Sequence, residues 1–184
     1  MSERRSPTLS PEYALLGFLT QHPAHGYDLH QQLIVNLGQI WHVSLSQTYN
    51  ILSRLEQQAF ISGVVQEQDN LPDRRRFRLT AAGRRRFETW LSGTAGCSVR
   101  LIRVEFITRL FFARAIDSET TRAVLDSQIA ETRGCLTHLE SMLGDLPAEQ
   151  TFNRLGLQLR IRQLKSVIEW LRECGRALDI DAKS

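Results

Sequence analysis

Seven arginines lie between Arg74 and Arg86 (Arg74, Arg75, Arg76, Arg78, Arg84, Arg85 and Arg86), with no acidic residue among them. The chain carries 23 basic and 20 acidic residues; setting those seven aside leaves 16 basic against 20 acidic, so one stretch holds all the excess behind the net charge of +3. Such a run either solvates a surface or meets phosphates, and the planar guanidinium fork suits phosphate oxygens and guanine edges. Upstream, Ser46, Gln47, Asn50, Ser53, Arg54 and Gln57 share one side of a helical period whose other side holds Ile51, Leu52 and Leu55. The polar side is almost uncharged at its N-terminal end. A helix built only for solubility more usually carries Glu and Lys, whereas short amide and hydroxyl side chains are what base edges need.

The recognition set read from this pattern is Ser44, Ser46, Gln47, Thr48, Tyr49, Asn50 and Arg54. Within it, Ser46, Gln47 and Asn50 are the candidates for base contact, because Gln and Asn can bond adenine bidentately. Tyr49 can offer its hydroxyl to a phosphate while its ring packs inward, and Arg54, a turn further on, suits the DNA backbone. Arg74, Arg75 and Arg76 are the expected wing-tip residues, gripping phosphates or entering the minor groove. Arg84, Arg85 and Arg86 follow on a helix, where solvation serves as well as contact.

The elements that position these groups are legible in order. Ser10-Pro11-Glu12 opens a helix over about 10–21, with Ser10 as its cap. A second helix starts near Gly26 and stops near Gly38, with Leu29, Leu33 and Leu37 recurring on one face. Ser44-Leu45-Ser46-Gln47 has the form of a capping box, so a third helix runs from there to about Gln58. Ile61–Val65 is β-rich, residues 70–73 are turn material, and Arg76-Phe77-Arg78-Leu79 alternates apolar with basic, so the strand turns its arginines outward. Thr80 caps a helix over about 81–92. Three helices, a basic hairpin and a fourth helix describe a winged helix-turn-helix in residues 10–92, preceded by a disordered arm over 1–9.

Residues 98–180 are helical throughout, giving a mainly α chain with an α+β N-terminal part. One unbroken helix is expected over 98–115, a second over 118–143 and a third to about Leu178. Leu125, Ile129, Thr132, Leu136, Leu139 and Leu143 form one heptad seam; Leu157, Ile161, Leu164, Ile168, Leu171, Gly175 and Leu178 form another. The seams either pair within one chain or serve a second subunit. A two-fold dimer matches a palindromic operator, so this region is read as a helical dimerisation domain with a role in sensing an effector.

Other chemistries find little support. No phosphate-cradling glycine loop, dinucleotide fingerprint, nucleophile elbow or HExxH motif occurs, so no enzyme, catalytic residue or cofactor is expected. His22, His25, His30 and His42 follow no ligand spacing, and no metal is expected. Cys97, Cys135 and Cys174 are sparse and odd in number, which suits small packed side chains better than a disulfide framework or a redox sensor. Trp41, Phe106, Phe112 and Trp170 are aromatic groups available to a small-molecule effector, with core packing as their default role. Met1–Thr8 lacks an apolar signal segment and no run approaches a membrane span, so the chain is read as cytoplasmic, with no membrane partner.

Several segments resemble the PadR-type transcriptional regulators. Thr48-Tyr49-Asn50-Ile51-Leu52-Ser53-Arg54-Leu55-Glu56 resembles that family's recognition helix, and Gly26-Tyr27-Asp28-Leu29 its second-helix start. Arg75-Arg76-Phe77-Arg78-Leu79-Thr80-Ala81-Ala82-Gly83 is similar to its wing strand and Leu-Thr-x-x-Gly entry to the next helix. Phe106-Ile107-Thr108-Arg109-Leu110-Phe111-Phe112-Ala113 and Trp170 resemble the members with a longer C-terminal domain. Ala59 stands where the family usually has Gly, and Phe77 where a Tyr is often found. The resemblance implies a homodimer that represses by occupying a palindromic double-stranded operator and is often released by a small molecule or a stress signal. The competing reading from the residues is a winged-helix adaptor that binds protein, against which the wing arginines argue.

Overall fold

The structure is a computed structural model that describes residues 10–68 and 71–180, without the side chains of 66–68 and 71–74. The chain divides into two compact units, Met1–Ser92 and Gly93–Ser184. The arm expected over 1–9 lies outside the described residues.

In the first unit the order is α1 (Glu12–Gln21), β1 (Ala24–His25), α2 (Gly26–Leu37), α3 (Leu45–Gln57), β2 (Ile61–Gln68), β3 (Leu71–Leu79) and α4 (Ala81–Leu91). This is the winged helix-turn-helix, with one strand the sequence did not suggest. The short β1 pairs with β3 (Ala24 opposite Phe77, His25 opposite Arg76), so the sheet has three antiparallel strands in the order β1-β3-β2. A two-residue strand has too little alternation to be read as a pattern.

Ser10 does not cap α1: the cap position is Pro11, without a side-chain bond, and the Ser10 hydroxyl accepts from Arg54 instead. The box at α3 forms as expected. The Gln47 N–H donates to Ser44 Oγ at 3.2 Å, and the Ser44 N–H donates to Gln47 Oε1 at 2.9 Å. Thr80 caps α4 by accepting from the Gly83 N–H at 3.0 Å, and its hydroxyl lies within hydrogen-bond reach of the carbonyls of Ala59 and Phe60. A Cβ on Gly83 would stand 2.0 Å from the Phe60 carbonyl oxygen, so only glycine lets α4 enter this close to the α3–β2 corner. The corner itself turns on Ala59, whose φ of +58° is left-handed.

The core of this unit is Leu15, Leu16, Leu29, Leu33, Leu52, Leu55, Ile61, Phe77 and Phe87, with Trp41 buried beyond α2. Tyr13 stacks on Trp90 at 4.8 Å. Glu12, itself buried, accepts from Arg54 at 3.2 Å and from Arg86, tying α1 to α3 and α4. The Arg86 guanidinium also lies 4.4 Å over the Phe60 ring. Arg86 is therefore a packing residue, while Arg84 and Arg85 are exposed.

The second unit holds α5 (Val99–Leu101), a π-helical turn (Ile102–Phe106), α6 (Ile107–Ile116), α7 (Ser118–Asp145) and α8 (Thr151–Ala177). The helix expected to run unbroken over 98–115 thus contains a π turn, a departure of one residue per turn that hydrophobic spacing does not resolve. Asp117 caps α7 by accepting from the Thr120 N–H at 2.6 Å. The two heptad seams meet within the chain: Leu139 packs on Leu157, Ile161 and Leu164, with Leu136 and Leu143 against them. Gln128 and Thr132 take buried places higher on α7. Gln128 Oε1 accepts from the Ala95 N–H at 2.8 Å and Nε2 donates to the Gly96 carbonyl at 3.0 Å, which holds the start of this unit to α7.

The cysteines depart from the expectation of isolated packed side chains. Cys97 sits in a turn rather than on a helix, and it forms a disulfide with Cys135 of α7, across a separation of 38 residues. Pairing between a turn and a distant helix face is a tertiary fact that spacing does not report. Phe106 and Phe112 are buried, and Phe106 meets Trp170 edge-on at 5.9 Å. No described helix is long and apolar enough to cross a membrane.

Candidate nucleic-acid interface

The N-terminal half of α3 presents Ser46, Gln47, Tyr49 and Asn50 to solvent, because Leu52 and Leu55 are fully buried on the opposite side. The helix start is fixed by the Ser44 box, so these side chains stand on a defined first turn rather than a frayed end. The Asn50 side chain makes no hydrogen bond among the described residues, and both ends of its amide are open. Gln47 is differently placed, since its Oε1 already accepts from the Ser44 N–H. Only its Nε2 is uncommitted. Ser44 is exposed, but its hydroxyl and its N–H are both spent on the cap.

Thr48, read from the sequence as part of the recognition set, does not face outward. It is fully buried, with its hydroxyl 3.0 Å from His30 Nδ1 and 3.2 Å from the Ser44 carbonyl, and it fastens α3 to α2. The polar type of a threonine says nothing of which way it points, and a hydroxyl is satisfied as well by a backbone carbonyl as by water. Tyr49 is 45% exposed with its ring laid against Gly26, where a Cβ would come within 2.5 Å of the ring. The glycine that opens α2 is thereby part of what positions Tyr49 on α3. Arg54 is half-exposed and engaged with Glu12 and Ser10, so its first role is internal.

The hairpin sorts its arginines by face. Opposite partners in an antiparallel pair point to the same side, and Ile61 pairs with Leu79, Gly63 with Phe77 and Val65 with Arg75. Ile61 and Phe77 are buried, so this is the inner face, and Arg75 belongs to it. Arg75 lies 5.7 Å over the Phe77 ring and pairs with Glu56 of α3 at 2.8 Å. Glu56 Oε1 also accepts from the Gly63 N–H at 2.8 Å, which fixes the base of the wing to the end of α3. On the outer face Ser62 pairs with Arg78 and Val64 with Arg76. Arg78 donates to Ser62 Oγ at 2.9 Å and Arg76 to the Pro23 carbonyl at 3.3 Å; both are exposed and neither faces a carboxylate among the described residues.

This corrects the wing reading in two respects. Arg75 and Arg76 stand in the middle of β3 rather than at its tip, with Arg76 opposite His25 of β1, and Arg75 is turned to an acid, Glu56. Arg78, left out of the wing set, shares the outer face with Arg76; the two-residue alternation of the strand was the signal for it. Arg74 pairs through its backbone with Gln66, and its side chain lies outside the described residues. Neutral polar groups on an exposed helix N-terminus and uncompensated guanidinium groups on a strand face form an arrangement suited to base edges and phosphates.

Two family models match the chain, one over each unit. Residues 15–89 match the transcriptional regulator PadR-like family, and residues 102–179 match the virulence activator alpha C-term family. The negative transcriptional regulator PadR of Bacillus subtilis (strain 168) is 23% identical over 179 residues, covering 92% of this chain and 98% of that protein. Among solved structures, Bacillus subtilis PadR in complex with operator DNA is 21% identical with a TM-score of 0.48, covering 94% of this chain and 99% of that one. The Vibrio cholerae virulence activator AphA is 24% identical with a TM-score of 0.38, covering 92% of this chain and 98% of that one. The first family and the Bacillus subtilis relative are both named for transcriptional regulation. The chain thus carries a PadR-like domain over its first unit and a virulence activator alpha C-term domain over its second.

Proposed function

We propose that this protein is a sequence-specific, double-stranded-DNA-binding regulator of transcription, acting as a homodimeric repressor at a palindromic operator and released by a small molecule or a stress signal. The observation that carries the reading is the division of labour in the first unit. Asn50, Ser46 and Gln47 offer neutral polar groups on the exposed start of α3, while Arg76 and Arg78 expose guanidinium groups that have no carboxylate partner among the described residues. The name of the Bacillus subtilis relative, a negative regulator, supports repression. For the dimer, the support is α8. Its seam toward α7 is filled within the chain, yet Phe152, Leu155 and Leu159 on its other side are 88%, 54% and 58% exposed. An apolar stripe of that kind suits a second copy.

Phe106 and Phe112 are buried and Phe106 packs on Trp170, which supports packing as the role of these rings. An effector is therefore sought through its effect on operator affinity. Footprinting of the purified protein on its own upstream region, at low salt, tests the reading. A protected two-fold site is expected; no protection at any concentration up to the non-specific range would overturn DNA binding in favour of a protein-binding winged helix. Sedimentation of the wild type and of Phe152→Asp with Leu159→Asp decides the dimer, which fails if the wild type is monomeric.

A further inference from the structure

The disulfide between Cys97 and Cys135 has no part in the reading above. We propose that this pair is a reversible redox site: a dithiol that closes to a disulfide and, in closing, clasps the turn at the head of α5 onto α7. One step rests on the DNA-regulator reading. A protein that works on DNA works where thiols are kept reduced, and a disulfide able to close there acts as a transient, sensing bond rather than a permanent staple.

The geometry favours closure. The Cα atoms are 6.4 Å apart, within the range that bridges without backbone movement. Gln128 holds Ala95 and Gly96 through bonds that do not depend on the sulfurs. Cys97 therefore stays beside Cys135 in the dithiol, and ring closure carries little entropic cost. Both cysteines are half-buried and, with Ser98, Arg100, His138 and Arg160, line an open cleft of about 440 Å³. Neither Arg100 nor Arg160 has an acidic partner among the described residues, and a cationic lining favours the thiolate that must attack. Glu131 Oε1, 3.7 Å from Cys97 Sγ, can accept the thiol hydrogen in the reduced form, and its negative charge works against the arginines at that sulfur. The third cysteine does not compete. Cys174 is half-buried, and burial together with the neighbouring Glu173 pushes its thiol up.

The oxidant class is a hydroperoxide. One thiolate attacks the peroxide and breaks its O–O bond, releasing the alcohol (water, from hydrogen peroxide) and leaving a sulfenic acid. The other thiol attacks that sulfur, forms the S–S bond and expels the oxygen as water. The two thiols lose two hydrogens and two electrons, which the peroxide takes up. A reducing dithiol reverses the step by exchange.

The test uses the full chain equilibrated across dithiol redox buffers, with free thiols alkylated and the intact mass read. Wild type and Cys174→Ser should each show one two-electron transition that Cys97→Ser and Cys135→Ser lack. Oxidation should slow amide exchange over residues 97–101 by about tenfold and change operator affinity by about fivefold or more. The proposal is overturned if Cys97 and Cys135 remain alkylatable in every buffer, or if exchange and affinity are the same in both states. It is also overturned if the reduced protein takes up Zn²⁺ on Cys97, Glu131 and Cys135 and so resists peroxide, because those ligand atoms lie within 4.8 Å of one another. If neither form binds DNA, the regulator reading falls, while the thiol titration and amide exchange still decide the redox site.

Discussion

The two faces of the wing strand make a prediction that the bare count of arginines does not. Arg76 and Arg78 point outward without a carboxylate partner, whereas Arg75 is already paired with Glu56 at 2.8 Å. Each phosphate neutralised on duplex DNA contributes about −0.9 to the slope of log K against log salt, so two outer arginines on each of two subunits contribute about −3.6. Replacing both, as Arg76→Ala with Arg78→Ala, should flatten the slope by roughly that amount. Between 50 and 200 mM salt the wild type should therefore lose about a hundredfold more affinity than the double variant. Arg75→Ala should change the slope by less than about one unit, because its charge is compensated before DNA arrives, and should act instead on the seat of the wing against α3. Fluorescence anisotropy with a labelled operator duplex, titrated over that salt range, measures all three. Equal flattening by Arg75→Ala and by the outer pair would refute the argument from strand faces. An unchanged slope in the double variant would remove the outer face from the interface altogether.

Four further outcomes are expected. Asn50→Ala should relax base preference more than Gln47→Ala, each with little change in salt slope; binding to a panel of single-base operator variants measures this, and a larger effect at Gln47 would reverse the assignment. Thr48→Val should lower stability by about 1–2 kcal/mol, through the loss of its bond to His30, and leave base preference untouched; a changed preference would put Thr48 at the DNA. Ala59→Gly should raise stability by about 0.5–1 kcal/mol in chemical denaturation, because a left-handed φ strains alanine more than the added freedom of glycine costs in the unfolded chain. Asp117 accepts from Thr120, which holds its carboxyl below the ordinary 3.8, so its contribution is present above that value and lost as pH falls through the lower folded pKa. Melting temperatures of Asp117→Asn should lack that acid-side decline, and an identical decline would exclude the cap as its source.

What the sequence could say depended on whether the cause was local. Capping and alternation are local, and so Ser44 with Gln47, the cap at Thr80, and the alternating faces of Arg76–Leu79 were legible from neighbouring residues, whereas Leu71, Pro72 and Asp73, turn-forming by type, belong to β3. The heptad seams were legible too, though not their partner: Leu139 against Ile161 and Leu164 looks the same in sequence whether the facing helix belongs to the same chain or another. Three misreadings share one origin. Thr48, Arg75 and Cys97 were each judged by residue type, while their roles are set by His30, Glu56 and Cys135, which lie at distances along the chain that no period connects. The positive φ of Ala59 lies between these cases. The departure from the glycine usual in the family was visible at that position, and its meaning needed the backbone angle.

Gln47 shows how a local device limits the function it supports. A bidentate contact to adenine needs the amide oxygen to accept and the amide nitrogen to donate at once. In the capping box that oxygen is held by the Ser44 N–H at 2.9 Å. To read adenine in full, Gln47 would have to surrender its half of the box, at about 1 kcal/mol, against a discrimination of about 1–3 kcal/mol. The net gain is small, and a helix start loosened on binding also positions Ser46 and Asn50 less well. Asn50, one turn further along, faces no such competition, because its amide bonds to nothing in the described residues while the helix under it is already hydrogen-bonded. On the proposed function, the residue that fixes α3 and the residue that reads from it are therefore different residues, and the box makes that separation an advantage: the cap can stay closed while the reading is done beyond it.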